Sequence, residues 1–198
     1  MPCRRCERYG VSPNFPDYMN VAEAVANEVH LNGQTKDKQS ITADWAVYGQ
    51  RLIEGVRVQE IRNVMKNNGY LTEIYRRDWQ LDGQPVDQVF QVVLTPGGLS
   101  AWHLHQRTTD RLFANVGTVK VVLYDPRPES PTYGQLNEFR ISPLRPQLIV
   151  VPPQVIHGVQ NIGTDTAILL NLVDEAYQYE DPDHWRVPHP TPEIPYRF

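Results

Sequence analysis

The chain has 198 residues, of which 40% are hydrophobic and 21% are charged, as in an ordinary globular protein. The net charge of −4 and the lack of a Lys/Arg cluster give no electrostatic support for binding nucleic acid or an anionic membrane. No apolar run approaches the roughly 20 residues that span a bilayer. Arg4, Arg5 and Arg8 precede no apolar signal segment, so we expect a cytoplasmic protein.

Residues 1–52 are predicted to form an N-terminal extension with one helix and a loop. The helix is predicted over Asn20–His30, which begins with a capping box and carries valines along one face. Cys3 and Cys6 are the only cysteines, and no second pair is present to complete a zinc site. We expect them to lie in a solvated tail. A disulfide, or a metal shared with another chain, is the alternative.

From residue 53 to residue 198 the sequence favours β structure and is predicted to form one domain. Apolar, β-branched runs alternate with Gly and Pro turns, including Asn67-Asn68-Gly69. Such a series of short strands indicates a sandwich or barrel, and the spacing suits an all-β jelly roll. Residues 181–198 are expected to pack across it as an irregular tail. The predicted strands cover residues 56–61, 70–76, 88–94, 101–104, 112–116, 118–124, 137–141, 147–151, 155–161 and 167–173.

Two histidines, His103 and His105, lie one residue apart in an apolar segment typical of a strand. Side chains at i and i+2 of a strand project from the same face, so both imidazoles are expected to enter the same enclosed space. Asp110 follows His105 by five residues, and His157 lies in a later apolar strand. Three imidazoles and a carboxylate at one point inside a barrel form a chemical site, with or without a metal.

The spacing Gly97-x5-His103-x-His105-x4-Asp110-x6-Gly117 resembles the first cupin motif, with Asp where Glu is usual. Residues 152–161 resemble the second motif. The resemblance implies a double-stranded β-helix, and the ligands that it implies for a metal-binding cupin are His103, His105, Asp110 and His157. Such ligands suit Fe(II), Mn(II), Ni(II), Cu(II) or Zn(II). Two alternatives stay open: Asp110 pairs with Arg107 or Arg111, or the histidines are polar barrel residues that touch no ligand.

Longer stretches resemble the dTDP-4-dehydrorhamnose 3,5-epimerases, which carry a D-x-R-x-x-S-P-T-[FY]-G stretch. Residues 125–134 match it at every defined position. Residues 152–158 are similar to the family's I-P-x-G-F-A-H-G segment, residues 54–73 to its first strand and turn, and residues 185–198 to its closing segment. The similarity covers residues 53–198, which include the whole predicted barrel.

Enzymes of that family invert carbons next to a ketone. A His removes the proton, a Tyr returns one, a Lys stabilises the enolate oxygen, and no metal is needed. The resemblance assigns the base to His105 and a second active-site histidine to His157. It places Glu73 at an acidic turn position and Asn171 at the position of the acid tyrosine. The aspartate that pairs with the base falls beyond the matching segment.

Several of the family's functional positions are substituted in this chain. Trp102 replaces the arginine that grips the diphosphate, His103 replaces the glycine after it, and Asn68 replaces the turn arginine. The lysine falls at Asp110 or Arg111, and only Arg111 is able to stabilise an oxyanion, so Arg111 is a predicted catalytic residue. The substrate-binding residues expected from these matches are Glu73, Trp102 and Asn171.

Three functions are compatible with these patterns. The first is a sugar or sugar-nucleotide epimerase or ketoisomerase, an isomerase that transfers protons through His105 and needs no cofactor. The second is a metal-dependent cupin, an oxygenase or metal-assisted isomerase, with a divalent ion held by three histidines and a carboxylate. The third is a non-catalytic cupin that binds a small molecule. The expected ligand is derived from a sugar, and the family resemblance implies a homodimer.

Overall fold

The computed structural model describes residues 29–43 and 47–198. The chain divides into two compact units, Met1–Tyr48 and Gly49–Phe198. The cysteine pair lies outside the described residues, as does nearly all of the helix predicted over Asn20–His30. Among the residues that are described, no helix has the length and apolar character needed to cross a membrane.

The second unit is built almost entirely from short strands separated by Gly- and Pro-containing turns, as the sequence predicts. A single 3₁₀ turn at Arg77–Trp79 interrupts them within the described part of the chain. The strands are β1 Arg57–Glu60, β2 Asn63–Lys66, β3 Gly69–Thr72, β4 Gln88–Leu94, β5 Leu99–Leu104, β6 Asp110–Val116, β7 Val119–Tyr124, β8 Leu136–Ile141, β9 Gln147–Val151, β10 Ile156–Asn161, β11 Ala167–Val173 and β12 Trp185–Arg186.

Two antiparallel five-stranded sheets enclose the interior of this unit. The first has the strand order β1-β9-β6-β11-β4 and the second β12-β5-β10-β7-β8, while β2 and β3 form a separate hairpin. Alternate residues of β7, namely Val119, Val121 and Leu123, are fully buried in the core between the sheets, while Val122 is buried on the opposite face in the cluster of Trp102. This period of two is the pattern expected of strands with one face in a core. The predicted all-β jelly-roll barrel is therefore confirmed.

The structure changes the boundaries of several predicted elements. β3 ends at Thr72, well before the predicted end at residue 76, because its length is set by pairing with β2 across the turn at 67–68. β6 begins at Asp110, two residues earlier than predicted. The tail predicted to be irregular contains β12, which pairs with β5 so that Arg186 lies opposite His103.

A polar cluster of buried and half-buried residues, here called the clasp, ties the segment before β1 to the barrel. It consists of Asp125, Arg127, Ser130 and Thr132. The Asp125 carboxylate accepts hydrogen bonds from the Arg127 guanidinium at 2.7 and 2.9 Å and from the Ser130 and Thr132 hydroxyls at 2.6 Å each. Arg127 and Thr132 in turn bond the backbone oxygen and nitrogen of Glu54. The family-like stretch at 125–134 is thus a structural anchor.

Candidate active site

A cavity of about 320 Å³ lies between the two sheets of the second unit. Its surface is mostly apolar, and polar residues of both sheets contribute to its lining. Four imidazoles line it, those of His103, His105, His157 and His184. A mostly apolar cavity with a few convergent titratable groups is the usual form of a small-molecule site.

Three of the predicted residues converge on one point of the cavity. Asp110 Oδ2 lies 3.2 Å from His105 Nε2 and 3.2 Å from His157 Nε2. The other carboxylate oxygen of Asp110 accepts a hydrogen bond of 2.6 Å from the Asn171 amide. The three ligand atoms lie within 4.8 Å of one another. Asp110 therefore pairs with two histidines, and the alternative pairing with Arg107 or Arg111 is wrong.

The outer nitrogens of the two histidines contact backbone carbonyl oxygens. His105 Nδ1 contacts the carbonyl oxygen of Asp183, and His157 Nδ1 lies 3.5 Å from that of Val155. A carbonyl oxygen only accepts hydrogen bonds, so each Nδ1 carries the hydrogen. In the neutral form of each ring, Nε2 is consequently the nitrogen without a hydrogen, and it lies 3.2 Å from Asp110 Oδ2.

His103 lies in the same cavity but has different partners. Its Nε2 is 2.8 Å from the Ser100 hydroxyl and its Nδ1 is 2.8 Å from His184 Nε2. The pairing of β5 with β10 places His103 opposite His157 and Ser100 opposite Val159, so three residue steps of β5 match two of β10. This bulge brings Ser100 to the face that carries His103. His103 is not part of the three-residue cluster around Asp110.

Burial favours the neutral form of three imidazoles that line the cavity. It lowers the pKa of His103 to about 3, with a further contribution from the neighbouring His157. Burial also lowers the pKa of His157, although the Asp110 carboxylate opposes the shift, and it lowers the pKa of His184. Desolvation disfavours the charged imidazolium because a buried ring loses its hydration.

Asp183 fixes the loop between β5 and β6. Its carboxylate accepts hydrogen bonds from the backbone nitrogens of Gln106 and Arg107 at 2.8 Å and of Thr108 at 3.0 Å. Burial favours a higher pKa for Asp183, but these donors and the Thr108 hydroxyl lower it to about 2. The same residue holds His105 through its carbonyl oxygen. In the family resemblance, the aspartate that pairs with the base falls beyond the segment that this chain matches. In the structure, Asp183 is the aspartate that contacts His105, and it does so through its backbone carbonyl oxygen.

Two predicted site residues lie on the wrong face of their strands. Trp102 is fully buried in a cluster with Ile156 and Ile194, outside the cavity and under the C-terminal tail. Arg111 is also fully buried, and its guanidinium contacts Asp82 at 2.7 Å and backbone oxygens. Neighbouring residues of a strand point to opposite faces, so the inward positions of His103 and Asp110 turn these two outward. The expected substrate-binding role of Trp102 and catalytic role of Arg111 are corrected accordingly.

The two other substrate-binding candidates are separated by the structure. Glu73 is exposed, pairs with Arg76 at 3.3 Å and does not line the cavity. Asn171 lines the cavity and is 6% exposed. Its amide donates to Asp110, and its side-chain oxygen accepts a hydrogen bond of 3.1 Å from the backbone nitrogen of Arg111. Asn171 therefore orients Asp110 and carries no exchangeable acidic proton of its own.

Sequence reasoning missed His184 and Arg186, both of which line the cavity. They flank the exposed Trp185 in a Pro-rich segment with no strand-like run, and pairing with β5 brings them to the site. One sequence signal could have found His184. Asp183 and His184 are of residue types common in active sites, and they lie just before residues 185–198, which resemble the family's closing segment.

A barrel of two antiparallel sheets around a histidine-lined cavity defines the cupin class of protein. The sequence profile of the dTDP-4-dehydrorhamnose 3,5-epimerase family matches residues 50–197. The chain belongs to this family of sugar epimerases, as the sequence indicated.

Curated relatives of the chain take part in making glycans and polysaccharides. One is a probable low-salt glycan biosynthesis epimerase of Haloferax volcanii, 33% identical over 69% of this chain and 88% of the relative. Another is a spore coat polysaccharide biosynthesis protein of Bacillus subtilis, 28% identical over 69% of this chain and 90% of the relative. A crystal structure of a dTDP sugar isomerase from Desulfovibrio desulfuricans superimposes with a TM-score of 0.68 at 29% identity, covering 73% of this chain and 91% of that one.

Proposed function

We propose that this protein is an isomerase that moves a proton at a carbon next to a carbonyl, and that its substrate is a keto sugar carried on a nucleotide. Family membership supports the class of reaction. The similar dTDP sugar isomerase supports the class of substrate. The observation that carries the proposal is the position of His105, whose Nε2 faces the cavity 3.2 Å from Asp110.

His105 is the proposed general base. Its Nδ1 hydrogen is held by the Asp183 carbonyl oxygen, so Nε2 is the nitrogen that takes a proton from the substrate. The Asp110 carboxylate beside Nε2 stabilises the imidazolium that forms. A base oriented by one acceptor and stabilised by a second needs no cofactor.

Arg186 is the proposed partner of the developing enolate oxygen. It is the cationic side chain among the described residues that line the cavity. A guanidinium is always charged and donates several hydrogen bonds, so it is able to stabilise an oxyanion or a diphosphate. It takes the role that the sequence assigned to Arg111.

Exchange of hydrogen with solvent tests this proposal directly. Purified protein is incubated in D₂O with dTDP-4-dehydrorhamnose, and deuterium at the carbons next to the ketone is followed by proton NMR. We expect exchange by the parent protein and a loss of about 10²-fold or more in His105→Asn. His30→Asn makes the same change at a residue that does not line the cavity and should exchange at the parent rate. Equal rates in parent, His105→Asn and buffer refute the function.

A second candidate function is a metal-dependent isomerase or oxygenase. It is favoured by the donor set, because two Nε2 lone pairs and Asp110 Oδ2 meet within 4.8 Å while both Nδ1 hydrogens are held by carbonyl oxygens. His105, Asp110 and His157 would hold the ion, and His103 is excluded from the expected ligand set by its bonds to Ser100 and His184. A bound divalent ion would supply Lewis acidity at a substrate oxygen.

Metal content separates the two candidates. The protein is purified without chelators and without nickel affinity, and its metals are measured by mass spectrometry. The first function predicts a substoichiometric content that is the same in parent and Asp110→Asn. One equivalent in the parent, lost in Asp110→Asn while the circular dichroism spectrum is retained, establishes the second function.

A further inference from the structure

The position at which the family resemblance places the acid tyrosine holds an asparagine, Asn171. Its side-chain nitrogen donates a hydrogen bond of 2.6 Å to Asp110, and its side-chain oxygen accepts one of 3.1 Å from the backbone nitrogen of Arg111. A carboxamide does not act as a general acid, whereas a phenol does. A proton donor that works with His105 therefore has to come from another part of the chain.

Tyr177 is the phenol among the described residues that line the cavity. It lies in the segment after β11, and its backbone nitrogen donates a hydrogen bond of 2.9 Å to the side-chain oxygen of Gln88. The preceding nitrogen, that of Ala176, donates one of 2.9 Å to Asp87. Gln88 is the first residue of β4, the edge strand of the first sheet. These two hydrogen bonds hold the backbone of Tyr177 at that edge.

The proposed base comes from the opposite sheet. His105 directly follows β5 of the second sheet, and the cavity lies between the two sheets. A sugar ring in the cavity therefore has His105 on the side of the second sheet and Tyr177 on the side of the first. The strands of the first sheet also supply Asp110, Gln88 and Asn171 to the lining. The Asp110 oxygens already contact two imidazoles and an amide, and the other two side chains are carboxamides.

The Tyr177 side chain is available to a substrate. No described residue forms a hydrogen bond with its hydroxyl, and the residue is 47% exposed, so water reaches it. Its ring packs edge to face against that of Tyr179, with centroids 5.6 Å apart. The carboxylate of Glu175 lines the cavity from the same segment, but it is paired with Arg107 at 3.1 Å.

We infer that Tyr177 is the second acid–base residue of this enzyme and serves the face of the substrate opposite His105. The inference rests on the proposed function and adds its stereochemical outcome, which is inversion. His105 Nε2 takes the proton from the carbon next to the ketone, and the electrons of that C–H bond form the enolate. The Tyr177 O–H then gives its proton to the same carbon from the other face. The tyrosinate regains a proton from water and the imidazolium loses one to water. In the reverse reaction the two residues exchange roles.

Separate measurements of hydrogen exchange and of inversion test the inference. The parent protein and Tyr177→Phe are each incubated in D₂O with dTDP-4-dehydrorhamnose and, in parallel, with its C3 and C5 epimers. Proton NMR follows the loss of the hydrogens next to the ketone and the anomeric signal of each epimer. We expect the parent to exchange these hydrogens and to interconvert epimers. In Tyr177→Phe, interconversion should fall by about 10²-fold or more. Exchange should fall for only one member of each epimer pair, because His105 still removes and returns hydrogen on its own face.

The other outcomes separate a catalytic role of Tyr177 from a structural one. Equal loss of exchange with both epimers, or parental rates throughout, overturns the inference. Exchange without interconversion in the parent also overturns it and leaves the isomerase function intact. A parent that exchanges no hydrogen overturns both.

Tyr179→Phe is the matched control. It makes the same change in the adjoining ring, which is 88% exposed and does not line the cavity, and it should match the parent in both readouts. Circular dichroism compares the folding of the two variants. A loss of interconversion in Tyr179→Phe as large as that in Tyr177→Phe contradicts the assignment to Tyr177.

Discussion

The clasp and the histidine wall, which is the set of four imidazoles that line the cavity (His103, His105, His157 and His184), are both groups of buried or half-buried polar side chains in the same barrel. They satisfy their hydrogen bonds in different ways. In the clasp, Asp125 accepts hydrogen bonds from Arg127, Ser130 and Thr132. Arg127 and Thr132 also bond the backbone of Glu54, in the segment that they anchor. In the wall, His105 and His157 have their Nδ1 atoms held while their Nε2 atoms face the cavity.

This difference separates a structural cluster from a reactive one. A closed network stabilises the fold because every buried donor and acceptor has a partner. A network that leaves lone pairs toward an open cavity gives up some of that stabilisation and keeps groups available for a substrate. In the sequence resemblance, the chain matches its family throughout the clasp and departs from it at Trp102, at His103 and at Asp110 or Arg111. The fold is therefore inherited more completely than the chemistry of the cavity.

Replacing His105 should produce the largest effect and confine it to function. We expect His105→Asn to reduce isomerisation by about 10²- to 10⁴-fold, because the general base is removed while the side chain remains polar. Initial rates at saturating substrate, combined with urea unfolding, check this prediction. If His105→Asn were unstable enough for unfolding to explain its lower rate, His105 would have a structural role like that of Asp125. The proposed difference between the wall and the clasp would then be wrong.

Replacing Asp125 should produce the opposite result. Asp125→Ala leaves the Arg127 guanidinium and two hydroxyls without their common acceptor, and we expect the free energy of unfolding to fall by about 3 kcal/mol. Below the unfolding midpoint the variant should keep its turnover number. Urea titration measures the loss, and Glu129→Gln, an exposed change in the same loop, should match the parent. Equal stability of Asp125→Ala and Glu129→Gln would contradict the anchoring role.

Gly158→Ala tests whether the C-terminal tail supports the wall from behind. A Cβ at this position of β10 would lie 2.7 Å from Ala101 Cβ and 2.8 Å from the Phe198 ring. We expect a destabilisation of about 1–3 kcal/mol from this overpacking. Gly163→Ala is the control, since its Cβ would approach nothing nearer than 3.4 Å. Thermal unfolding compares the two variants. Equal melting temperatures would show that the C-terminal tail moves to accommodate the added methyl group with no loss of stability.

The clasp should also make the fold sensitive to acid. Burial alone would raise the pKa of Asp125, but hydrogen bonds from Arg127, Ser130 and Thr132 hold it below the usual 3.8. A carboxylate whose folded pKa is depressed contributes stability that is complete above its unfolded pKa and is lost as pH falls through the folded value. Parent stability should therefore decline below about pH 4, and that of Asp125→Asn should decline less. Urea midpoints between pH 3 and 7 measure both slopes, and parallel slopes would exclude Asp125 as the cause.

Side chains alternate between the two faces of a strand, and this alternation placed His103 and His105 on one face. The same rule explains why the site roles predicted for two neighbouring residues were wrong. Because Trp102 adjoins His103 and Arg111 adjoins Asp110, alternation turns both outward, where the tail and Asp82 cover them. The family comparison matched their positions in sequence but carried no information about the face. The face of the strand on which each side chain lies was therefore the better guide to the site.

What the sequence determined by itself was local and periodic. Alternation and turn residues define most strands of the barrel, the His-x-His spacing points two imidazoles inward, and residues 125–134 identify the family. Only the tertiary structure decided which of these groups meet. The arrival of His184 depends on β12 pairing with β5, and the gathering of four imidazoles on one sheet depends on the order β12-β5-β10. Contacts between residues distant in the chain depend on strand pairing and closure, which no local pattern encodes.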